Sequence, residues 1–187
     1  MSRKLILIKH ARPEIDPNIP ARYWRLSAEG RRAASALADT LASYQPFILI
    51  ASPEPKARET AEIIAARLGL EMSVGPELYE HDRAKVPFLS QEAFLDAVAR
   101  FFARPDELVF GNETAHQARQ RFASAVEQII TAHPDQNIVI VAHGTVISLF
   151  VGRRAGVDPF NLWQRLEMPS HIVLSLPGFK LTARADG

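Results

Sequence analysis

Four residues in this chain combine reactive side chains with positions where a fold would gather them. Lys9 and His10 follow the apolar run Leu5–Ile8 in "KLILIKHARP". His143 closes a second run, Ile138–Ala142, in "NIVIVAHGTV". Ser52 closes a third, "FILIA" over 47–51. A neutral imidazole offers a lone pair to an electrophile and can also carry a proton. A lysine beside it supplies a point charge, and free amides at a helix start attract anions. Two histidines, a lysine and a helix start brought to one edge describe a site for an anion.

The elements that must position them are legible as periodicities. The stretches 4–9, 47–51, 137–142 and 171–176 are continuous, branched and apolar, as in strands covered on both faces, and 70–74 is a weaker fifth. Helical spacing falls between them. Ser27 caps a helix reaching about Ser43, with Ala33, Ala34, Leu37, Ala38 and Leu41 on one stripe. Ser52 caps a second, with Pro53 at its first helical position, ending at Gly69. Further helices are expected over 90–103, 113–132 and 145–154. Strands alternating with helices predict an α/β three-layer sandwich with a central, mainly parallel sheet. In such folds ligands bind beyond the carboxyl ends of the strands, where His10, Ser52 and His143 stand.

Composition narrows the function. With 187 residues, the chain reads as a single domain over 1–187 with ample material for a core. Hydrophobic residues make up 47% and charged residues 23%, the balance of a soluble globular protein. A net charge of +1 gives no electrostatic reason to expect nucleic acid or an anionic membrane. No apolar run is long enough to span a bilayer. The basic start precedes only four apolar residues, too few for a secretion signal. Without cysteine there is no disulfide, no thiolate metal site and no cysteine nucleophile. A cytoplasmic protein fits best; the oligomeric state is left open, a homodimer included.

Six segments, in order, resemble the motifs of the histidine phosphatase superfamily, the phosphoglycerate-mutase-like group. "LILIKHARP" stands where that family has a strand followed by Arg-His-Gly, and "LSAEGRRAASALADTL" is similar to its Leu-Thr-x-x-Gly helix. "ASPEPKARETAEIIAARLGL" is similar to its Ser-Pro-x-x-Arg-Ala-x-x-Thr-Ala stretch. "ELYEHD" sits where a Leu-x-Glu supplies an acid, "GNETAHQARQRF" resembles the Gly-Glu-Ser and later Arg segment, and "VIVAHGTVI" resembles the second His-Gly motif. The resemblance implies a phosphomonoester hydrolase with a phosphoglycerate-mutase-like fold and a small-molecule phosphate substrate. It implies His10 as the covalent nucleophile, Glu80 as the acid, and His143, Lys9 and Lys56 around the phosphoryl oxygens. Ser52 is first a cap, with a phosphate role second. No metal or other cofactor is implied.

The chain departs from that pattern at three positions. Lysines 9 and 56 stand for arginines, keeping charge but losing the planar fork that matches phosphate. Ala11 stands for glycine. Arg12 or Arg83 could supply a missing fork, with Arg12 the better placed in sequence. His81 and Asp82 rank behind Glu80 as acids, and His116, His133 and His171 read as surface or packing residues. Residues 81–112 read as a helical excursion near the site. Its Phe94, Val98, Phe101 and Phe102 face either packs it down or walls the pocket, and loop 11–26 forms the opposite rim. The alternatives are a non-catalytic or weakly active phosphate-binding regulatory member, or a phosphoprotein phosphatase. Mutases share the same centre, but the chain lacks room for the insertions of the larger ones. A metal-dependent phosphatase would need carboxylates at the strand ends.

Overall fold

Six strands form one sheet in the order β3-β2-β4-β1-β5-β6. The structure, a computed structural model, describes residues 3–45 and 47–185. The strands are β1 (Lys4–Lys9), β2 (Phe47–Ala51), β3 (Met72–Val74), β4 (Asn137–Ala142), β5 (Ser170–Ser175) and β6 (Lys180–Ala185). The first four run parallel to one another; β5 and β6 extend the sheet antiparallel beyond β1. Six helices accompany them: α1 (Ala28–Leu41), α2 (Pro55–Leu68), α3 (Gln91–Ala103), α4 (Ala115–Ala132), α5 (Gly144–Ala155) and α6 (Pro159–Arg165).

The continuous apolar runs make this a layered fold. In a strand, alternate side chains face opposite ways. Ile6, Ile8, Val139 and Val141 pack with Ala38, Leu41, Ala61 and Ile64 of α1 and α2. Leu5, Leu7, Ile138 and Ile140 pack with Phe122, Val126, Ile147 and Phe150 of α4 and α5. These strand residues are fully buried, and each contributes about 1.5–3 kcal/mol relative to exposure. The mainly parallel sheet between helical layers is therefore the one the sequence predicts.

Register then places the chemistry. Lys9 of β1 lies opposite Ala142 of β4, and Ala51 of β2 lies opposite Val141. The next residue on each strand is His10, His143 and Ser52. The His10 N–H still donates to Ala142 O, and the Ser52 N–H to Val141 O. Three chain segments far apart in sequence thus deliver their reactive residues side by side at one sheet edge.

The helix starts show where local reading held and where it slipped. The Ser27 hydroxyl accepts the Gly30 N–H at 3.0 Å, as expected of a cap. Ser90, Thr114 and Asp158 cap α3, α4 and α6, and Gly69 ends α2 in the left-handed region. Ser52 does not cap α2. That helix begins at Pro55 rather than Pro53, with Glu54 at the cap position and no side-chain cap bond. Two prolines compete for the first helical position in "SPEPK", and the later one takes it, while the Ser52 hydroxyl lies 2.7 Å from His143 Nε2. Neither α6 nor β6 was foreseen. The apolar face of α3 packs the excursion down: Phe101 is buried against His81, with ring centroids 4.2 Å apart, and Phe102 meets Phe160 and Trp163 of α6.

One close approach ties α1 to the loop after His10. The Arg12 carbonyl accepts from both Ser27 N–H and Ser27 hydroxyl, and it faces the first turn of α1. A Cβ on Gly30 would lie 2.1 Å from that carbonyl oxygen. In an ordinary exposed helix, Gly→Ala stabilises by up to about 1 kcal/mol. Here Gly30→Ala is expected to do the opposite and destabilise by roughly 1–3 kcal/mol. A lower urea midpoint at unchanged slope is the checking measurement; a raised midpoint would show that the loop yields freely.

Candidate active site

His10 is the best-defined group at the sheet edge. It is 7% exposed, and its Nδ1 lies 2.8 Å from Ala11 O. A carbonyl oxygen only accepts, so Nδ1 carries the hydrogen and Nε2 keeps its lone pair. Burial pushes its proton affinity well below the usual imidazole value, and His143 and Lys56 push the same way. His10 is therefore a neutral, oriented imidazole with a free lone pair at ordinary pH.

His143 is its neighbour, with ring centroids 5.2 Å apart. It is completely buried, and burial followed by Lys56 also holds it well below the usual value. Its Nε2 lies 2.7 Å from Ser52 Oγ and 3.7 Å from Glu54 Oε1, while its Nδ1 is buried without a hydrogen-bond partner. Ser52, expected as a helix cap, is instead the group that orients this histidine.

Glu80 reaches the same place from the loop before α3. Its Oε2 accepts the Thr145 N–H at 3.1 Å and its Oε1 the Val146 N–H at 3.3 Å, so the carboxylate sits on the N-terminus of α5. Burial favours its neutral form, but His143, Arg83 and the His81 N–H outweigh that, and Glu80 titrates below the ordinary carboxyl value.

The two lysines arrive differently from each other. Lys9 shares strand parity with Leu5 and Leu7, so its stem passes α5 and its ammonium donates to Leu166 O at 2.6 Å. Gly144 leaves that path open: a Cβ there would lie 3.2 Å from Lys9 Cε. Burial lowers the Lys9 value, against the pull of Glu80 and Glu167. Lys56 is 5% exposed and donates to Ala21 O at 2.8 Å and to the carboxylate of Glu54. The cation expected to await phosphate already has an anionic partner.

Arg12 is not brought to the site. Its side chain is 59% exposed and faces Glu29 at 3.8 Å. The Arg12 carbonyl is held by Ser27, and its side chain turns outward. Arg83 is closer to the chemistry: it lines the adjoining cavity and lies over the Phe94 ring at 5.1 Å.

That cavity, about 580 Å³, is bounded by Ala21, Tyr23, Glu54, Lys56, Glu80 and Arg83 among others. His10 and His143 lie behind this wall rather than on it. The rim from loop 11–26 is present as Pro20–Tyr23, and no phenylalanine lines this cavity.

Two structural features escaped sequence reasoning. Glu54 is one; standing between two prolines inside a motif, it carried no spacing signal. The other is a brace on the Glu80 loop. Arg121 of α4 donates to the carbonyls of Glu77, Tyr79 and Glu80 and pairs with Glu113 at 2.7 Å. Glu113 in turn accepts the Asp82 N–H at 3.0 Å. Both side chains of that pair are nearly buried, at 10% and 13% exposure, so losing either partner would strand the other. The "GNETAHQARQRF" segment contains both residues, and only their partners were hidden.

Among the described residues, no group of three or more His, Cys, Asp or Glu is arranged to hold a metal ion, and no helix is long and apolar enough to cross a membrane.

Comparison with known proteins agrees with this geometry. The sequence profile of the histidine phosphatase superfamily (branch 1) matches residues 5–178. An uncharacterized phosphatase of Bacillus subtilis, PhoE, is 27% identical over 134 residues, covering 72% of this chain and 66% of that relative, just under two thirds of its length. Phosphoserine phosphatase 1 of Hydrogenobacter thermophilus is 26% identical over 170 residues, covering 86% of this chain and 80% of that protein. Among solved structures, phosphoserine phosphatase of Entamoeba histolytica in complex with 3-phosphoglyceric acid superposes with a TM-score of 0.80 at 18% identity, over 99% of this chain and 98% of that one. At that identity the likeness is one of fold.

The buried histidines generate a pH prediction. His81, 3% exposed and stacked on Phe101, is pushed from 6.5 down to about 4, first by burial and then by Arg83. A base with lowered affinity in the folded state binds protons better unfolded. Stability is therefore full above about 6.5 and is lost as pH falls from 6.5 toward 4, by roughly 3 kcal/mol for His81 alone. His10 and His143 act in the same direction. Urea midpoints across that window should fall steadily on acidification, and the His81 ring resonances should still report a neutral imidazole at pH 5. A flat stability profile would contradict this.

Proposed function

Because the chain belongs to the histidine phosphatase superfamily, branch 1, we propose that it is a phosphomonoester hydrolase in which His10 is transiently phosphorylated. The observation that carries this reading is the fixed tautomer of His10: Nδ1–H is spent on Ala11 O, so the free lone pair of Nε2 is available for attack. Attack at phosphorus forms the N–P bond as the ester P–O bond breaks, and water later cleaves the N–P bond to give inorganic phosphate. The transferring group concentrates charge on its equatorial oxygens, so most of the remaining task is electrostatic.

The surrounding groups take roles consistent with their positions. An ammonium has three donor hydrogens. Lys9 uses one on Leu166 O and retains the others for a phosphoryl oxygen, whereas Lys56 is engaged by Ala21 O and by the Glu54 carboxylate. His143 is held by Ser52 beside the nucleophile. Glu80 rests as a carboxylate; a bound phosphate dianion nearby raises its proton affinity, and the proton it then carries is given to the leaving oxygen. The same carboxylate afterwards takes a proton from the attacking water. This scheme draws only on side chains, so the reaction is proposed to be metal-independent. A cavity of about 580 Å³ is in the range that encloses small ligands, which favours a small-molecule ester over a phosphoprotein. A cytoplasmic location is proposed, in keeping with the absence of cysteine from the sequence.

One observation favours a second reading, a weakly active phosphate-binding protein: the pairing of Lys56 with Glu54. Turnover separates the two. An aryl phosphate should be hydrolysed in the presence of excess chelator, and acid-labile, alkali-stable phosphate should be trapped on His10. His10→Ala should remove both signals. Phosphate trapped elsewhere, or undiminished turnover in that variant, would sink the phosphohistidine mechanism.

Lys9 allows a separate test. Lys9→Met should lower kcat/KM by about two to three orders of magnitude, as loss of a preorganised charged donor does. Lys9→Arg should retain much of the activity. Unchanged efficiency in Lys9→Met would reduce Lys9 to a tie between β1 and Leu166.

A further inference from the structure

We propose that Glu54 is a built-in occupant of the phosphate seat, an anion of the chain itself that an incoming phosphate must displace from Lys56. The inference rests on the functional reading above and concerns a residue that the reading does not use.

Glu54 is 9% exposed and is fixed between Pro53 and Pro55 in an extended conformation. Its two carboxylate oxygens each take one donor and lie beside an imidazole. Oε2 takes the Lys56 ammonium. Oε1 accepts the Glu80 N–H at 2.9 Å and lies 3.7 Å from His143 Nε2. An ammonium and a main-chain amide, with an imidazole edge beside them, are groups that would hold phosphoryl oxygens. Here they hold a carboxylate.

A second observation separates this arrangement from ordinary helix capping. Glu54 stands at the cap of α2, where a side chain normally accepts a helix N–H. It makes no such bond. Its carboxylate turns instead toward His143 and Glu80, and its backbone serves the local turn, the N–H donating to Ser52 Oγ at 3.3 Å and the carbonyl accepting from Ala57 and Arg58 at 3.0 Å.

A carboxylate and a phosphate dianion cannot share Lys56 without strong like-charge repulsion in a buried site. Binding therefore requires Glu54 to give way. It has somewhere to go: Glu54 borders the 580 Å³ cavity, and Arg22 and Arg83 stand on the same walls. Arg83 has no carboxylate partner within ion-pair distance among the described residues. The function that follows is a loosened hold on phosphate. A monoanion competes poorly against a carboxylate already seated, a dianionic ester can replace it, and the returning carboxylate helps expel inorganic phosphate after hydrolysis.

The test uses the full chain, with inorganic phosphate as the probe in calorimetry and an aryl phosphate for kinetics. E54Q and E54A should each bind inorganic phosphate about tenfold or more tighter than wild type, with KM falling alongside it. E54D keeps the charge and should stay near the wild-type values. A merely structural Glu54 predicts weaker binding in all three variants, and equal or weaker phosphate binding by both E54Q and E54A overturns the proposal. So does loss of fold in both, read by far-ultraviolet circular dichroism, because it would assign Glu54 to stability. The functional reading fails separately: wild type that neither turns over nor binds phosphate removes that reading and this proposal together, whereas turnover by wild type without tighter binding by the variants removes the proposal alone.

Discussion

Parallel pairing of β1 with β4 is the constraint on which the rest of the site depends. Lys9 and Ala142 are in register, so His10 and His143 leave the sheet as neighbours, with β2 adding Ser52 on the far side of β4. The pairing is enforced by burial on both faces. A slip of one residue would turn Ile6 and Ile8 away from α2 and move every strand side chain to the wrong layer. The geometry of the candidate site is inherited from hydrophobic packing, which fixes register far more firmly than any contact between the histidines themselves.

Once the groups are gathered, their charges have to be reconciled out of water. Neutral histidines solve half of that problem, since burial keeps His10 and His143 from competing with a cation for the anion they face. The lysines solve the other half through partners: Leu166 O for Lys9, and Ala21 O with Glu54 for Lys56. A buried ammonium without such partners would be costly to maintain. The replacement of two arginines by lysines is intelligible in these terms. A compact ammonium fits a single carbonyl or carboxylate, where a planar fork would demand two acceptors in one plane.

Much of this was legible in the sequence, and the exceptions have physical causes. Strands β1, β2 and β4 announced themselves because a strand buried on both faces must be apolar at every position. The edge strand β6, "KLTARA", mixes polar and apolar residues and carries no such signature. Helix α6 had one: Asp158 before Pro159 is a cap followed by a proline at the first position, but seven residues are too few to show periodicity. His10, His143, Lys9 and Lys56 could be named because they follow strand ends or sit in quoted motifs. The outward turn of Arg12 could not, since it depends on a carbonyl captured by Ser27 from another segment. The contacts of Glu54 with Glu80 and of Arg121 with the carbonyls of Glu77 and Tyr79 were hidden for the same reason: they span tens of residues, and pairings at that range are set by topology rather than spacing.

The brace of Arg121 and Glu113 has a mechanical consequence. It clamps three carbonyls and one amide of the segment 77–82 to α4, so that wall of the cavity can yield only if a nearly buried ion pair opens with it. The facing wall, Pro20–Tyr23, has a lighter attachment, chiefly a turn bond from Tyr23 N–H to Pro20 O and the Lys56 ammonium on Ala21 O. The two sides of the cavity therefore differ in compliance. One side is held rigidly and the other more lightly, tied at Ala21 to the Lys56 ammonium, so a change in what Lys56 holds is felt first along the side of Pro20.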